Sequence, residues 1–233
     1  MHELFETYGQ KIIDTRTNTI SAVEFLCRTR DGVDIDLDEW FATVDRWKSL
    51  RWTDQQIHEA VVFTRHTGVK ACVNIDNEIL DLLKVSHIKA LTGFRPIELE
   101  MTQVRKLASF DKIYAFKEEL TRSNYQKQIS ISLDDYVINN NKHELERFSE
   151  FFDTIKLDKS NLIGLETVQV QNELKDFLNY LEVYNTEHIV EGVETQQQLE
   201  ILQHLGFHTF QGFYFHKAEP LYQLDATYEP KSF

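Results

Sequence analysis

Short apolar runs of strand character alternate with longer stretches of helical period from one end of this chain to the other. That alternation confines it to a parallel sheet covered by helices. The strand-like runs fall at residues 19–26, 69–75, 97–101, 129–133, 154–157, 188–190 and 208–210. Segment 36–50 carries Leu37, Trp40, Phe41, Val44 and Trp47 at helical spacing, and 53–66 carries Ile57, Ala60, Val61 and Thr64. Helices are also predicted over 77–91, 111–122, 168–184 and 195–205, with Thr53, Asn77 and Thr195 as N-caps. Residues 6–17 read as a hairpin strand leading into 19–26, with no functional residue of their own. An open doubly wound sheet and a closed (β/α) barrel both fit this order. Neither G-x-G-x-x-G nor G-x-x-x-x-G-K-[ST] occurs, which removes the main support for the dinucleotide and P-loop versions of the open sheet.

Each strand-like run ends in a chemically capable residue, or has one just past its end: Glu24, Asn74, Glu100, Asp134 with Asp135, Lys156, Glu191 and Gln211. In a barrel the strand C-termini converge on one mouth, where such side chains would meet. Several oxygen ligands with no His and no Cys among them describe a site for a hard cation, Mg²⁺, Mn²⁺ or Ca²⁺. Zinc is disfavoured, because neither H-E-x-x-H nor a Cys pair of ligand spacing occurs. Taken singly, an acidic residue past a strand commonly caps the next helix or lines a solvated loop, and Lys156, between Ile155 and Leu157, equally suits a structural ion pair. Asp134 and Asp135 say more, since adjacent carboxylates after an apolar run repel each other unless a cation lies between them.

Composition narrows the partners. With 25 basic and 38 acidic residues the net charge is −13, so duplex nucleic acid and anionic membrane are repelled unless a local patch reverses the field. No apolar run reaches the roughly 18 residues of a spanning helix. The opening MHELFETYGQ lacks the basic and apolar regions of a secretory signal, so the expected location is the cytoplasm. Cys27 and Cys72 cannot build a disulfide framework and read as small core residues. No linker or biased stretch divides the 233 residues, so a single domain over residues 1–233 is expected, its core at about residues 10–225.

In this order, the motifs resemble the EAL-domain family of cyclic di-GMP phosphodiesterases. Val23-Glu24-Phe25-Leu26-Cys27-Arg28 stands where the family has its Glu-Ala-Leu signature and following Arg. Val73-Asn74-Ile75 is similar to the second-strand Asn motif, and Glu98-Leu99-Glu100-Met101-Thr102 to the Glu-x-Thr segment. Leu133-Asp134-Asp135-Tyr136 resembles Asp-Asp-Phe, and Ile155-Lys156-Leu157-Asp158 resembles Lys-x-Asp. Glu191-Gly192-Val193-Glu194-Thr195 and Gln211-Gly212-Phe213 match the last two motifs.

The resemblance implies a modified (β/α)₈ TIM-like barrel with an irregular, antiparallel first strand. It implies that Glu24, Asn74, Glu100 and Asp134 hold one Mg²⁺ or Mn²⁺ and that Asp134 and Asp135 share or hold a second. Glu191, the favoured base, and Lys156 would position and activate the attacking water. Gln211 would complete the metal and water shell, Arg28 would contact a substrate phosphate, and Glu194 and Gln103 would support the site. Two divalent cations roughly 3.5–4 Å apart would generate the nucleophile and neutralise the phosphoryl charge, which a chain of net charge −13 otherwise repels.

The implied activity is hydrolysis of cyclic di-GMP to linear pGpG. The alternatives are a catalytically weak or silent barrel that acts as a cyclic di-GMP receptor or regulates a protein partner, and a metal-dependent barrel for another phosphate ester. Three departures from the family pattern stand out: Phe25 in place of Ala, a glycine-free run Tyr136-Val137-Ile138-Asn139-Asn140-Asn141 after the Asp pair, and Gln103 where a Glu steadies that loop. The same loop makes dimer contacts in the family, so the resemblance implies a homodimer through a loop whose sequence is altered here.

Overall fold

A computed structural model describes residues 4–31, 35–76, 79–84, 88, 96–101, 110–124, 129–139 and 142–224. Strands β1 (Phe5–Asp14) and β2 (Thr19–Thr29) form an antiparallel hairpin whose turn passes through Asn18 at φ 53°, a left-handed position that Asn tolerates. β2 then begins a run of seven mutually parallel strands with β3 (Lys70–Ile75), β4 (Ile97–Met101), β5 (Ile129–Tyr136), β6 (Thr154–Leu157), β7 (Glu187–Val190) and β8 (Thr209–Phe210). β8 pairs antiparallel with the far end of β1 and closes the ring. The result is an eight-stranded α/β barrel in which β1 alone runs against the others, as expected. A short β9 (Glu219–Pro220) lies beside β1 at Tyr8 and Gly9. Gly9 leaves room there for Leu224, whose methyl would lie 2.7 Å from a Cβ at position 9 and would have to shift.

Helices α1 (Leu37–Thr43), α2 (Arg46–Thr67), α3 (Phe110–Arg122), α4 (Lys142–Phe151), α5 (Val168–Tyr184) and α6 (Gln196–Leu205) surround the barrel. Outward residues of the strands, such as Val23, Phe25, Ala71, Val73, Leu99 and Ile131, pack with the helices into the large core. Inward residues obey the two-residue period of a strand. A second, small apolar cluster of Ile12, Ala22, Cys72 and Ile189 lines one side of the lumen. Each member stands two residues from a polar side chain at the mouth: Gln10, Glu24, Asn74 and Glu191 respectively. The site therefore rests on a dry floor. Among the described residues, no helix is long and apolar enough to cross a membrane.

The helix boundaries differ from the sequence reading at three places. Thr53 is no N-cap but a buried residue inside α2. The break falls instead at Val44–Asp45, where the Asp45 carboxylate accepts from the amides of Trp47 and Lys48. Restarting the helix there changes its phase, so Trp47, which the period placed with the apolar face, is exposed. α4 was not anticipated, because its apolar positions Leu145 and Phe148 are embedded in a charged run. The helix read over 77–91, with its Asn77 cap, lies largely outside the described residues, and the described part at 79–84 forms turns. Thr195 does cap α6, in a reciprocal capping box with Gln198.

Candidate active site

At the C-terminal ends of the parallel strands the inward polar residues converge on one lysine. Lys156 of β6 is fully buried, and its ammonium lies 2.8 Å from Asp134 Oδ1, 2.8 Å from Glu191 Oε1, 3.1 Å from Glu100 Oε1 and 3.5 Å from Glu24 Oε2. Four strands thus deliver four carboxylates to a single cation. Asn74 donates to Glu24 Oε1 at 3.1 Å, and Gln211 donates to Glu24 Oε2. Seven of the eight residues read from the strand ends meet directly in this network, and the eighth, Asp135, stands at its rim.

Asp135 needs special backbone, because neighbours in a regular strand point to opposite faces. Between Leu133 and Tyr136, β5 carries one more residue than its partner β6, since Leu133 pairs with Ile155 and Tyr136 with Leu157. Asp135 takes φ 54° in this bulge. The kink brings oxygens of Asp134, Asp135 and Glu191 within 4.8 Å of one another. Tyr136 then drops into the core, stacked on Phe177 at 5.7 Å between ring centroids. The glycine-free loop is held by Asn161, which accepts from the Ile138 amide and donates to the Tyr136 carbonyl, both at 2.8 Å. After Glu191 the chain turns through Gly192 at φ 68°, where a Cβ would lie 2.3 Å from the Lys159 Cβ. Only glycine lets the β7 loop pass over the turn that follows β6.

The electrostatics are those of an acid-rich, dry site. Burial pushes the Glu191 carboxyl up to about 8 against the pull of Lys156, and burial raises Glu100 well above the usual carboxylate range. Asp134 is raised by burial and by the Glu24 charge. Asp135, crowded by the cluster, is pushed up to about 6 by desolvation and the Asp134 charge. Burial would raise Glu24 too, but Lys156 and the Gln211 and Asn74 amides outweigh it and hold it below its ordinary value. The same carboxylates overcome the desolvation of Lys156 and keep its ammonium charged. One lysine thus faces five carboxyl groups. Glu100 Oε2 and Gln211 Oε1 are buried and make no hydrogen bond among the described residues. Hard oxygen donors, clustered carboxylates and orphaned acceptors fit divalent cations of the Mg²⁺, Mn²⁺ and Ca²⁺ kind. Glu24, Asn74, Glu100, Asp134, Asp135, Glu191 and Gln211 are the residues that could hold them.

The remaining predicted residues do not join the cluster. Arg28 lies on the same strand face as Glu24 but is exposed, its guanidinium donating to the Cys27 carbonyl at 2.8 Å. Glu194 is exposed at the start of α6, where its amide donates to Gln198 Oε1. Gln103 lies outside the described residues. Phe25 faces away from the site into the outer core, edge-on to Phe63 at 5.6 Å between centroids, so its bulk does not crowd Glu24.

Two inward residues were missed. Gln10 on β1 pairs with Glu24 in register and accepts from Gln211 at 3.2 Å, so residues 6–17, read as carrying no functional residue, place one side chain in the network. Glu98, one layer below Glu100, is fully buried and bound by Lys70 at 2.6 Å and Ser130 at 3.0 Å. Its signal was present in the sequence: a charge two residues before Glu100 in an apolar strand shares its face.

A TIM-like barrel with a carboxylate, amide and lysine cluster at the strand C-termini defines a barrel protein whose mouth could hold divalent cations. The EAL domain matches residues 2–218, and the chain belongs to the EAL-domain family. Over 125 residues it is 31% identical to the probable cyclic di-GMP phosphodiesterase PdeD of Escherichia coli K12, a match spanning 53% of this chain and 22% of that protein. The barrel resembles Klebsiella pneumoniae BlrP1 in its calcium and cyclic di-GMP complex, with a TM-score of 0.76 at 20% identity over 93% of this chain and 56% of BlrP1. It resembles the PaMucR phosphodiesterase in complex with cyclic di-GMP with a TM-score of 0.77 at 19% identity, covering 94% of this chain and 99% of that one. The EAL-like domain protein YdiV gives a TM-score of 0.73 at 16% identity, covering 94% of both chains. At these identities the structural likeness concerns the fold. The chain spans about a fifth of PdeD and about half of BlrP1.

Proposed function

We propose that this chain hydrolyses cyclic di-GMP to linear pGpG in a reaction dependent on Mg²⁺ or Mn²⁺. The observation that carries the reading is the buried Lys156 ammonium meeting Asp134, Glu191, Glu100 and Glu24 at the strand C-termini, with Asp135 turned toward the same mouth. Substrate identity is supported by the relatives, which include a probable cyclic di-GMP phosphodiesterase and barrels in complex with cyclic di-GMP.

Glu24, Asn74, Glu100 and Asp134 would hold one cation, and Asp134 with Asp135 a second. The cations, when bound, supply Lewis acidity to the phosphoryl oxygens and lower the pKa of water. Glu191 takes the proton of the attacking water. Its carboxyl is pushed up to about 8 by burial, and divalent cations held by the neighbouring carboxylates would favour the ionised form that can accept the proton. Lys156, 2.8 Å from Glu191, orients that carboxylate and adds a positive charge beside the reacting phosphate. Gln211 completes the polar wall, and Arg28 at the rim swings from the Cys27 carbonyl to a substrate phosphate.

The test is turnover of cyclic di-GMP by the purified chain with Mg²⁺ or Mn²⁺, beside a chelator control and Glu191→Gln. Formation of pGpG that disappears with the chelator, and falls by about 10²-fold or more in the variant, is the expected result. Binding without turnover in the unaltered chain would overturn it and leave a receptor.

A further inference from the structure

We propose that Gln10 is a positioning residue of this site: it fixes which way the Gln211 amide faces, and so turns the Gln211 oxygen toward the reaction space. The inference rests on the reading of the mouth as a divalent-cation site. The argument is one of hydrogen-bond polarity. The Gln10 amide nitrogen donates to the backbone carbonyl of His216 at 3.1 Å, and a carbonyl can only accept. The other end of the Gln10 amide, its oxygen, therefore faces Gln211, and it accepts from Gln211 Nε2 at 3.2 Å. The same nitrogen donates to Glu24 Oε2, and a carboxylate also only accepts.

Two acceptors thus hold the Gln211 nitrogen, which donates directly to Glu24 and, through Gln10, begins a run of donors that ends on the His216 carbonyl. Gln211 Oε1 is what remains: buried, and without a hydrogen-bond partner among the described residues. An orphaned buried acceptor is costly unless a ligand completes it. With Gln10 removed, a half-turn of the amide is opposed only by the bond to Glu24, and the oxygen loses its fixed direction.

Gln10 comes from the one strand that runs against the other seven. The residue two places further along β1, Ile12, lies in the dry floor of the lumen, which holds the strand in register. Lys11 adds a second tie to the same segment, its amide meeting His216 Nδ1 at 3.4 Å. The polarity of the site is thus anchored to a backbone carbonyl in the segment after β8, which no side-chain rotation can reverse.

The experiment is a double-mutant cycle of Gln10→Met and Gln211→Met in the full chain, read first by calorimetric titration with Mn²⁺ alone and then by turnover of cyclic di-GMP. Outer-sphere partners of this kind are typically worth 10–100-fold. Gln10→Met should weaken Mn²⁺ binding and lower kcat by about 10-fold each, with KM changed less than about twofold. The double variant should be no worse than Gln211→Met. Unchanged Mn²⁺ affinity in Gln10→Met, or losses that multiply in the double variant, would overturn the proposal.

A merely structural role would lower the melting temperature and leave the metal titration untouched. A measurement on the unaltered protein guards against a variant that fails to fold: the Gln211 side-chain amide protons should exchange slowly by NMR, and free rotation or fast exchange defeats the idea. Mn²⁺ binding without turnover would sink only the hydrolytic reading, since the titration cycle still decides the role of Gln10. Absence of both in the unaltered chain would overturn the cation site and this inference with it.

Discussion

Glu98 and Lys70 show how much a single buried pair can govern in this barrel. Glu98 is shut off from solvent, and burial alone would raise its carboxyl; the Lys70 ammonium and the bonds from Ser130 and Ser132 outweigh this and hold it below the ordinary range. Removing the lysine leaves a charge in the lumen with no cation. Lys70→Met should therefore cost about 3–5 kcal/mol of unfolding free energy, measured by urea titration. Lys70→Met combined with Glu98→Leu should recover most of that loss, because an apolar pair of similar volume no longer carries the desolvation penalty. The strand-end rule made Glu24, Asn74, Glu100, Asp134, Lys156, Glu191 and Gln211 legible, since position and chemistry coincided. Glu98 sat one layer below that rule. Gln10 was hidden for another reason: nothing local says that residue 10 lies opposite Glu24, which depends on the register of the hairpin.

At the scale of the element, the β5–β6 bulge separates backbone geometry from charge. The glycine-free run after Asp135 suggested a shortage of positive-φ positions, yet none of its described residues takes a positive φ; Asp135, just before it, does, and Tyr136 is already back in the core. Asn tolerates the left-handed region almost as Asp does, whereas a β-branched residue does not. Asp135→Asn should thus keep the melting temperature within a few degrees while reducing Mn²⁺ affinity. Asp135→Val should lose about 1–2 kcal/mol of stability in addition to the ligand. Equal melting temperatures for the two variants would mean that the turn is not strained.

The Phe25 departure belongs to the same scale. Alternation sends residue 25 outward when Glu24 points inward, and the ring fills space against Phe63 on α2. Restoring the family's residue with Phe25→Ala should cost about 3–5 kcal/mol by opening a cavity, without improving turnover. Sequence adjacency to Glu24 suggested interference with the site; the pleat of the strand removes it. Helix boundaries were least legible where a side chain decides them, as Asp45 does between α1 and α2.

Across the whole molecule, closure of the barrel rests on its shortest strand, which the sequence reading places at 208–210. β8 has two residues in register with β1, and the adjoining His208 carbonyl takes both the amide and the hydroxyl of Thr15, at 2.9 and 3.1 Å. Against this seam packs His188 of β7, buried edge-on to Phe207 and 4.6 Å from the His208 ring. Burial lowers the His188 imidazole to about 4, helped by His208 and Arg16 and opposed by Asp14.

The sign of the linkage follows from that direction. Above pH 6.5 the ring is neutral in both states and contributes no pH dependence. Between pH 6.5 and about 4 the unfolded chain takes up a proton that the folded chain refuses, so folding stability falls as the pH falls. The loss accumulated by pH 4 is on the order of 3 kcal/mol. Urea titrations across this window should show a steeper decline for the unaltered protein than for His188→Gln, whose side chain does not titrate. Parallel curves would place the acid sensitivity in the carboxyls that the fold holds below their ordinary range, such as Glu24 and Glu98. A steeper native curve would place it at the seam, where protonating one buried ring loosens the contact that makes eight strands a closed ring.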